Sequence, residues 1–168
     1  MQIHAARRYI SPRTRALTPQ ENETRNISYT LKDPRQWDFP LCVSIAAEEM
    51  AALIDGPCNL IPIPSSRGST EANRRLANAI ADRVKGARVV DGLRRTRPVP
   101  SSCERHKAKR GGLPIEEHHL ERDWHGWVDA LPTYFVDNTT TSGNTLRAAR
   151  AAFQFGNGLV FSDAGPNR

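Results

Sequence analysis

The sequence predicts an α/β fold, with a single domain over residues 1–168 built on a mostly parallel sheet flanked by helices and carrying a small N-terminal hood. Short apolar segments with the character of buried strands alternate with segments of helical spacing. At 168 residues the chain is long enough for one buried core, and it contains no internal repeat. Residues 1–40 are expected to form the hood or lead-in, and residues 94–112 a flexible basic loop.

The first third of the chain gives the weaker signals. Residues 1–26 are polar and basic with interspersed prolines, so we expect an irregular or short-strand lead-in. Partial alternation predicts a short strand over 26–31, and 32–39 is expected to be a turn. Apolar residues at helical spacing predict a helix over 41–54.

From residue 58 onwards strands and helices alternate clearly. The run 58–63 is short and continuously apolar, as expected of a strand that is covered on both faces. The later predicted elements are a helix over 70–84, a strand within 87–93, a polar loop over 96–112, strands over 134–136 and 159–161, and a helix over 146–153. Strands that alternate with helices in this way favour right-handed crossovers in one parallel sheet.

The composition of the chain disfavours several classes of protein. The apolar runs are far too short to span a bilayer, and the basic N-terminus lacks the apolar core of a secretory signal, so a cytoplasmic location is expected. The three cysteines are widely separated, which disfavours a disulfide framework or a structural zinc site. Neither a Walker motif nor a dinucleotide-binding glycine motif is present.

The net charge of +6 is concentrated in one segment that contains Pro, Gly and Ser. Its basic residues, opposed by a single acid, are Arg94, Arg95, Arg97, Arg105, Lys107, Lys109 and Arg110. Such a segment can be a solvated loop, a nucleic-acid patch or a cover for an anionic ligand. No aromatic residue interleaves with it, so a base-stacking surface is poorly supported there.

The most informative motif lies at 134–146. An apolar strand is followed by Asp137 and Asn138, then by small hydroxyl residues and Gly143, and then by a helix. Backbone N–H groups at a helix N-terminus bind phosphate, and open α/β sheets bind ligands at the carboxyl ends of their strands. A phosphate loop beside a carboxylate suggests a phosphorylated sugar, although an Asx turn and an N-capped helix would favour the same residues.

A second candidate phosphate loop follows the strand at 58–63. It contains Ser65, Ser66, Arg67 and Gly68 immediately before a helix. Glycine allows close approach of the backbone, and guanidinium binds phosphate oxygens bidentately, so the loop suits pyrophosphate. A proline-stiffened turn with a solvated Arg is the alternative.

The segment 134–146 resembles the phosphoribosyl pyrophosphate (PRPP) motif of type I phosphoribosyltransferases, in which two acidic residues precede a loop of the type T-T-G-x-T. Asp137 matches the first acidic position, Asn138 replaces the second, and residues 140–145 match the loop. Residues 61–77 are similar to the P-x-P … R-G-x-x-x-A … L-A pattern of the ComF-like branch of the family. The resemblance covers most of the chain, but the cysteine-rich zinc module of many members is missing.

This resemblance implies a Mg²⁺-dependent glycosyltransferase that moves 5-phosphoribose between PRPP and a nitrogenous base and releases pyrophosphate. Asp137 would hold the ribose hydroxyls and help to orient the metal-bound donor, with Asn138 beside it, and Arg105 would act over the pyrophosphate. The implied substrate-binding residues are Ser65, Ser66, Arg67, Gly68, Lys107, Lys109, Thr139, Thr140, Thr141, Ser142, Gly143, Asn144 and Thr145.

The implied ligands are PRPP, or a nucleoside monophosphate and pyrophosphate. No association with a membrane is expected, and the family resemblance further implies a homodimer. Loss of the second carboxylate at Asn138 removes negative charge that would attract Mg²⁺. Three hypotheses therefore stay open. They are an active transferase, a PRPP- or nucleotide-binding regulator with weak or no activity, and a nucleic-acid-associated protein on the same fold, of which the last is not favoured.

Overall fold

A computed structural model describes residues 1–101, 104–105, 108, 112–123 and 130–165. Within this part of the chain, a five-stranded parallel sheet carries helices on both faces, which confirms the α/β class predicted from sequence. The helices are α1 (Pro19–Thr30), α2 (Phe39–Ala51), α3 (Glu71–Ala81) and α4 (Asn144–Phe153). The strands are β1 (Ile3–Arg8), β2 (Asn59–Pro62), β3 (Arg88–Val89), β4 (Leu93–Arg95), β5 (Leu120–Arg122), β6 (Thr133–Thr140) and β7 (Asn157–Asp163).

The order of the strands in the main sheet is β1-β7-β6-β2-β3. From β2 the chain passes through α3 to β3 on one side, then returns to β6 on the other side of β2 and continues through α4 to β7. The direction of winding therefore reverses between β2 and β6. A reversal of this kind leaves a crevice beyond the carboxyl ends of the two strands, where open α/β sheets bind ligands.

Two buried clusters cover the opposite faces of the sheet. On one face, apolar residues of α1, α2 and α3 pack against strand residues such as Val136, Leu159 and Phe161. On the other face, residues of α4 pack against Phe135 and Val160. β2 contributes to both clusters and is buried along its whole length, as predicted, although one of its four residues, Asn59, is polar.

The strand predicted over 26–31 is wrong, because these residues lie at the end of α1 and at its C-cap, Leu31. The helix begins with a capping box, in which the side chain of Thr18 accepts from the backbone of Glu21 and the Glu21 side chain accepts from the backbone of Thr18. Pro19 suits the first turn of a helix as well. These start signals fix the helix, although its later β-branched and aromatic residues favour a strand on their own.

The N-terminal lead-in contains a short strand, which is one of the two forms predicted for it. β1 pairs with β7 in parallel and is an edge strand of the main sheet, so Ile3–Arg8 belong to that sheet. Arg7 anchors this edge. Its guanidinium donates to Glu49 at 2.6 Å and to Glu23 at 2.6 Å, and it lies over the ring of Phe161.

The other predicted helices and strands are present, but their first and last residues differ from the predicted ones. β6 is the largest difference, since it continues through Thr140 and not only to residue 136. Residues 115–122 contribute a 3-10 turn, Ile115–His118, and the strand β5, which pairs with β4 in a separate antiparallel ribbon. Among the described residues, no helix combines the length and apolar character that a bilayer crossing requires.

Candidate functional site

Two loops leave the sheet on either side of its reversal point. We call residues 64–69 the β2 loop and residues 141–143 the β6 loop. The two parent strands are neighbours in register, because Pro62 pairs with Val136 and the N–H of Ile63 donates to the carbonyl of Val136 at 3.0 Å. Both loops therefore start from the same edge of the sheet, where the crevice is expected.

The β2 loop is a closed turn. The N–H of Ser65 donates to the carbonyl of Ser69 at 2.8 Å, and the N–H of Gly68 donates to the carbonyl of Ser65 at 2.9 Å. Gly68 has φ +94°, a conformation that other residues adopt only with strain. Within the described residues, the N–H groups of Ser66 and Arg67 have no acceptor, and the Arg67 side chain is exposed. The turn thus presents two N–H donors and a guanidinium, which are groups that bind anions in proteins.

The β6 loop ends at the first turn of α4. Gly143, with φ +76°, precedes the helix, and the hydroxyl of Ser142 accepts from the N–H of Asn144 at 3.3 Å. The N–H of Thr145 lies in the first turn, where no carbonyl of the helix itself can accept it. A positive φ followed directly by a helix start is suited to an anion, as the sequence predicts.

Asp137 lies between these loops. Its Oδ1 accepts from the Nδ2 of Asn73, on α3, at 3.1 Å and from the N–H of Asn138 at 2.8 Å. In the part of the chain that the structure describes, Oδ2 has no hydrogen-bond partner. Burial raises the pKa of Asp137, and this is opposed by the two hydrogen bonds and then by the positive charges of Lys32 and Arg95. One oxygen is held by the protein, and the other is available to a ligand.

The longer β6 changes the environment of three predicted site residues. Asn138 is 8% exposed, and because successive residues of a strand point to opposite faces, its side chain is directed away from that of Asp137. Thr139 and Thr140 belong to the strand and not to the loop. The hydroxyl of Thr139 is hydrogen-bonded to that of Ser162 at 3.0 Å, and Thr140 is buried.

The basic segment 94–112 contacts the β2 loop at its beginning. Arg95 donates from Nε to the carbonyl of Ser65 at 2.8 Å and from Nη2 to the carbonyl of Pro64 at 3.2 Å, and it also donates to the carbonyl of His118. The N–H of Val99 donates to the carbonyl of Ser66 at 2.9 Å. Burial lowers the pKa of Arg95, an effect that the charge of Asp137 opposes. A guanidinium remains protonated even so, and a fixed positive charge therefore lies beneath the β2 loop.

The far end of the same segment contacts the β6 loop. Gly112 lies against the loop, because a Cβ built on it would lie 3.2 Å from the Ser142 hydroxyl oxygen. Directly beyond the segment, the carbonyl of Leu113 accepts from the Nδ2 of Asn144, the first residue of α4, at 2.8 Å. Arg105 is turned towards this end, with its side chain 15% exposed and Nη2 3.4 Å from the carbonyl of Gly112. The segment thus joins the two loops.

The structure brings together most of the predicted site residues. Asp137, the β2 loop and the β6 loop meet at one edge, while the side chains of Thr139 and Asn144 are engaged in contacts within the protein. Lys107 and Lys109 lie outside the described residues.

Sequence reasoning missed Asn73 as a site residue and included Arg95 only as one of the basic residues of the segment 94–112. Asn73 carries no motif signal, because only the folding of α3 against β6 brings it to Asp137. No sequence signal distinguishes Arg95 from its neighbour Arg94, which forms an exposed ion pair with Glu121. Lys32, whose charge acts on Asp137, lies in a segment that the sequence predicted only as a turn.

The chain matches no protein-family model, and no curated protein matches its sequence.

Proposed function

We propose that the protein is a phosphoribosyltransferase-like enzyme that transfers 5-phosphoribose between PRPP and a nitrogenous base with release of pyrophosphate. The observation that carries this proposal is the Oδ2 of Asp137, which has no hydrogen-bond partner among the described residues and lies near two anion-suited loops at the reversal point of the sheet. A ligand with two phosphate groups on a hydroxylated ring fits such an arrangement, because each loop has donors for one phosphate and the carboxylate accepts from hydroxyls.

The proposed roles follow the positions of the groups. The β6 loop, with Gly143 and the N–H of Thr145, binds the 5′-phosphate, and Asp137 accepts hydrogen bonds from the ribose hydroxyls through Oδ2. The β2 loop binds the pyrophosphate through the N–H groups of Ser66 and Arg67 and through the Arg67 guanidinium. Thr139 and Thr140 are left out of direct binding, since both lie in β6.

The chemistry needs no protein nucleophile. Loss of pyrophosphate leaves positive charge on the ribose ring, so the work of the site is to position the donor and to stabilise the separating charges. Arg95 supplies a fixed positive charge next to the β2 loop, on the side where the leaving group becomes more negative. The remaining basic residues of the segment 94–112 are proposed to cover the pyrophosphate and to exclude water.

Mg²⁺ is the implied cofactor, and the donor set at the site can be compared with what this ion needs. No cluster of three or more His, Cys, Asp or Glu side chains suited to a metal occurs among the described residues. Mg²⁺ sites that also hold substrate phosphates commonly use only one or two carboxylates, with water completing the coordination shell. Asp137 with its unpaired Oδ2 fits that requirement. When bound, the ion would neutralise charge on the pyrophosphate.

Isothermal titration calorimetry of PRPP with Mg²⁺, followed by an assay of pyrophosphate release across a panel of bases, tests the proposal. We expect wild-type protein to bind PRPP and at least one base to support release. Asp91→Asn is the matched control for Asp137→Asn, because Asp91 is an exposed carboxylate ion-paired with Arg74 at 2.8 Å. Binding that survives Asp137→Asn and is weakened by Asp91→Asn would contradict the proposed site.

The same assays separate the other two hypotheses. PRPP binding without pyrophosphate release for every base would favour a regulator. Binding of nucleic acid that falls steeply with salt and does not compete with PRPP would favour the nucleic-acid hypothesis. Against the latter, Arg95 donates to carbonyls of its own chain.

A further inference from the structure

Helix α3 contributes one buried amide to the edge of the sheet. Asn73 is 8% exposed, and its Nδ2 donates to the carbonyl of Ile63 at 2.8 Å and to the Oδ1 of Asp137 at 3.1 Å. Both hydrogens of the amide nitrogen are therefore used. Because both neighbouring groups are acceptors here, the reverse orientation of the amide would bring oxygen against oxygen, so the assignment of Nδ2 is determined by its surroundings.

Among the described residues, the carbonyl oxygen of the same amide has no partner. The Oδ1 of Asn73 is buried there without a hydrogen bond, and a buried acceptor without a partner costs stability. The amide nitrogen offers two hydrogens, and these serve two acceptors in different directions, the carbonyl of Ile63 and Oδ1 of Asp137. The cost of the unpaired oxygen is therefore accepted together with a hydrogen bond to Asp137.

The contacts of Asp137 show what this second hydrogen bond does. The N–H of Asn138 donates to the same Oδ1 at 2.8 Å, so two donors converge on one oxygen of the carboxylate. The backbone donor alone would still permit rotation of the carboxylate, whereas a second donor from another element fixes its plane. Oδ2 is then directed away from both donors.

We propose that Asn73 is the positioning residue of Asp137, because its amide fixes the carboxylate so that Oδ2 meets the ligand. The inference rests on the proposed function, in which Oδ2 accepts from ribose hydroxyls. Asn73 itself touches no substrate. The groups that face Asp137 are the amide of Asn73, the N–H of Asn138 and the charges of Lys32 and Arg95, and all of them favour the ionised form against the effect of burial.

The test compares Asn73→Ser with Asn78→Ser, an exposed position on the same helix. The first measurement is the orientation of the Asp137 carboxylate in crystal structures of the two variants without ligand. Loss of the hydrogen bond from Asn73 should leave the carboxylate rotated or in more than one orientation, and Asn78→Ser should leave it unchanged. Should Asn73→Ser fail to fold, Asn73→Thr fills more of the space and is measured in the same way.

The second measurement is PRPP affinity with Mg²⁺ at pH 7. For Asn73→Ser we expect a loss on the order of 10-fold, as one charge-assisted hydrogen bond implies, and for Asn78→Ser no loss. An unchanged orientation of the Asp137 carboxylate in Asn73→Ser would overturn the positioning role whatever PRPP does. A reoriented carboxylate in a protein that never binds PRPP would instead leave Asn73 as the partner of Asp137 and refute the proposed function.

Discussion

The substitution Asp137→Asn should have opposite effects on ligand binding and on the stability of the free protein. An Asn at this position retains an oxygen that can accept from Asn73 and from the N–H of residue 138, so the local hydrogen bonds survive. The substitution removes the negative charge of a partly buried group and weakens Oδ2 as a hydrogen-bond acceptor. Removal of the buried charge stabilises the folded protein without ligand, whereas the weaker acceptor lowers the affinity for the ligand.

The expected loss of affinity follows from the one carboxylate oxygen, Oδ2, that is available to the ligand. A hydrogen bond to a charged group contributes about 1.5–3 kcal/mol, so the affinity for PRPP should fall roughly 10- to 150-fold. At a PRPP concentration 100 times the wild-type Kd, the ligand stabilises wild-type protein by about 2.7 kcal/mol. A variant with a 100-fold weaker Kd would gain only about 0.4 kcal/mol under the same conditions.

The effect on stability depends on pH. Burial raises the folded-state pKa of Asp137 above its value in the unfolded chain, so the folded protein binds the proton more tightly. The cost of the buried charge is fully present above the folded-state pKa and is lost as the pH falls through that value. Asp137→Asn should therefore be more stable than wild type at neutral pH, and the difference should shrink as the medium is acidified.

Urea unfolding at several pH values, with and without PRPP and Mg²⁺, measures both effects in one series. The expected result is a higher midpoint for Asp137→Asn without ligand and a smaller ligand-induced increase. Equal ligand-induced increases in the two proteins would refute the role of Oδ2. A lower midpoint without ligand at neutral pH would refute the assignment of a raised pKa to Asp137.

Three further predictions concern the elements around this carboxylate. Arg95→Ala removes three hydrogen bonds to carbonyls, so it should lower the unfolding free energy in urea by about 2–3 kcal/mol and weaken pyrophosphate binding. The control is Arg94→Ala, which breaks an exposed ion pair and should lower the unfolding free energy by less than about 1 kcal/mol. Gly143→Ala forces a side chain into φ +76° and should cost about 1 kcal/mol and reduce PRPP affinity by calorimetry. Thr18→Ala removes the capping box of α1 and should lower the unfolding free energy by about 1 kcal/mol, and no change would contradict the helix there.

The alternation of strands and helices was predictable from residue 58 onwards, because each element there carries its own local signal. β2 is buried on both faces and is apolar except for Asn59, and α3 places Leu76 and Ile80 at helical spacing on its buried side. The two loops followed from the same reasoning, since small and hydroxyl residues between a strand and a helix indicate a turn at the carboxyl edge. Local chemistry was sufficient for these features.

The remaining features depend on contacts between distant parts of the chain. β1 has weak alternation and becomes a strand because β7 offers it a parallel edge. α1 was misread because Thr18 and Glu21, which start it, precede the β-branched residues that favoured a strand. Asn73 lies 64 residues from Asp137 in sequence, and no pattern in either segment connects them.

The charges at this edge of the sheet are related to the absence of a second carboxylate at position 138. An Asp at position 138 would lie on the opposite face of β6 from Asp137, in a position that is 8% exposed, where an ionised side chain would be costly without a partner. Asn138 avoids that cost. With Lys32 and Arg95 acting on a single carboxylate, the described site has an excess of positive charge when no ligand is bound. An excess of this sign favours a ligand with several negative charges over a free metal ion, so the cation is expected to arrive together with the phosphates and not before them.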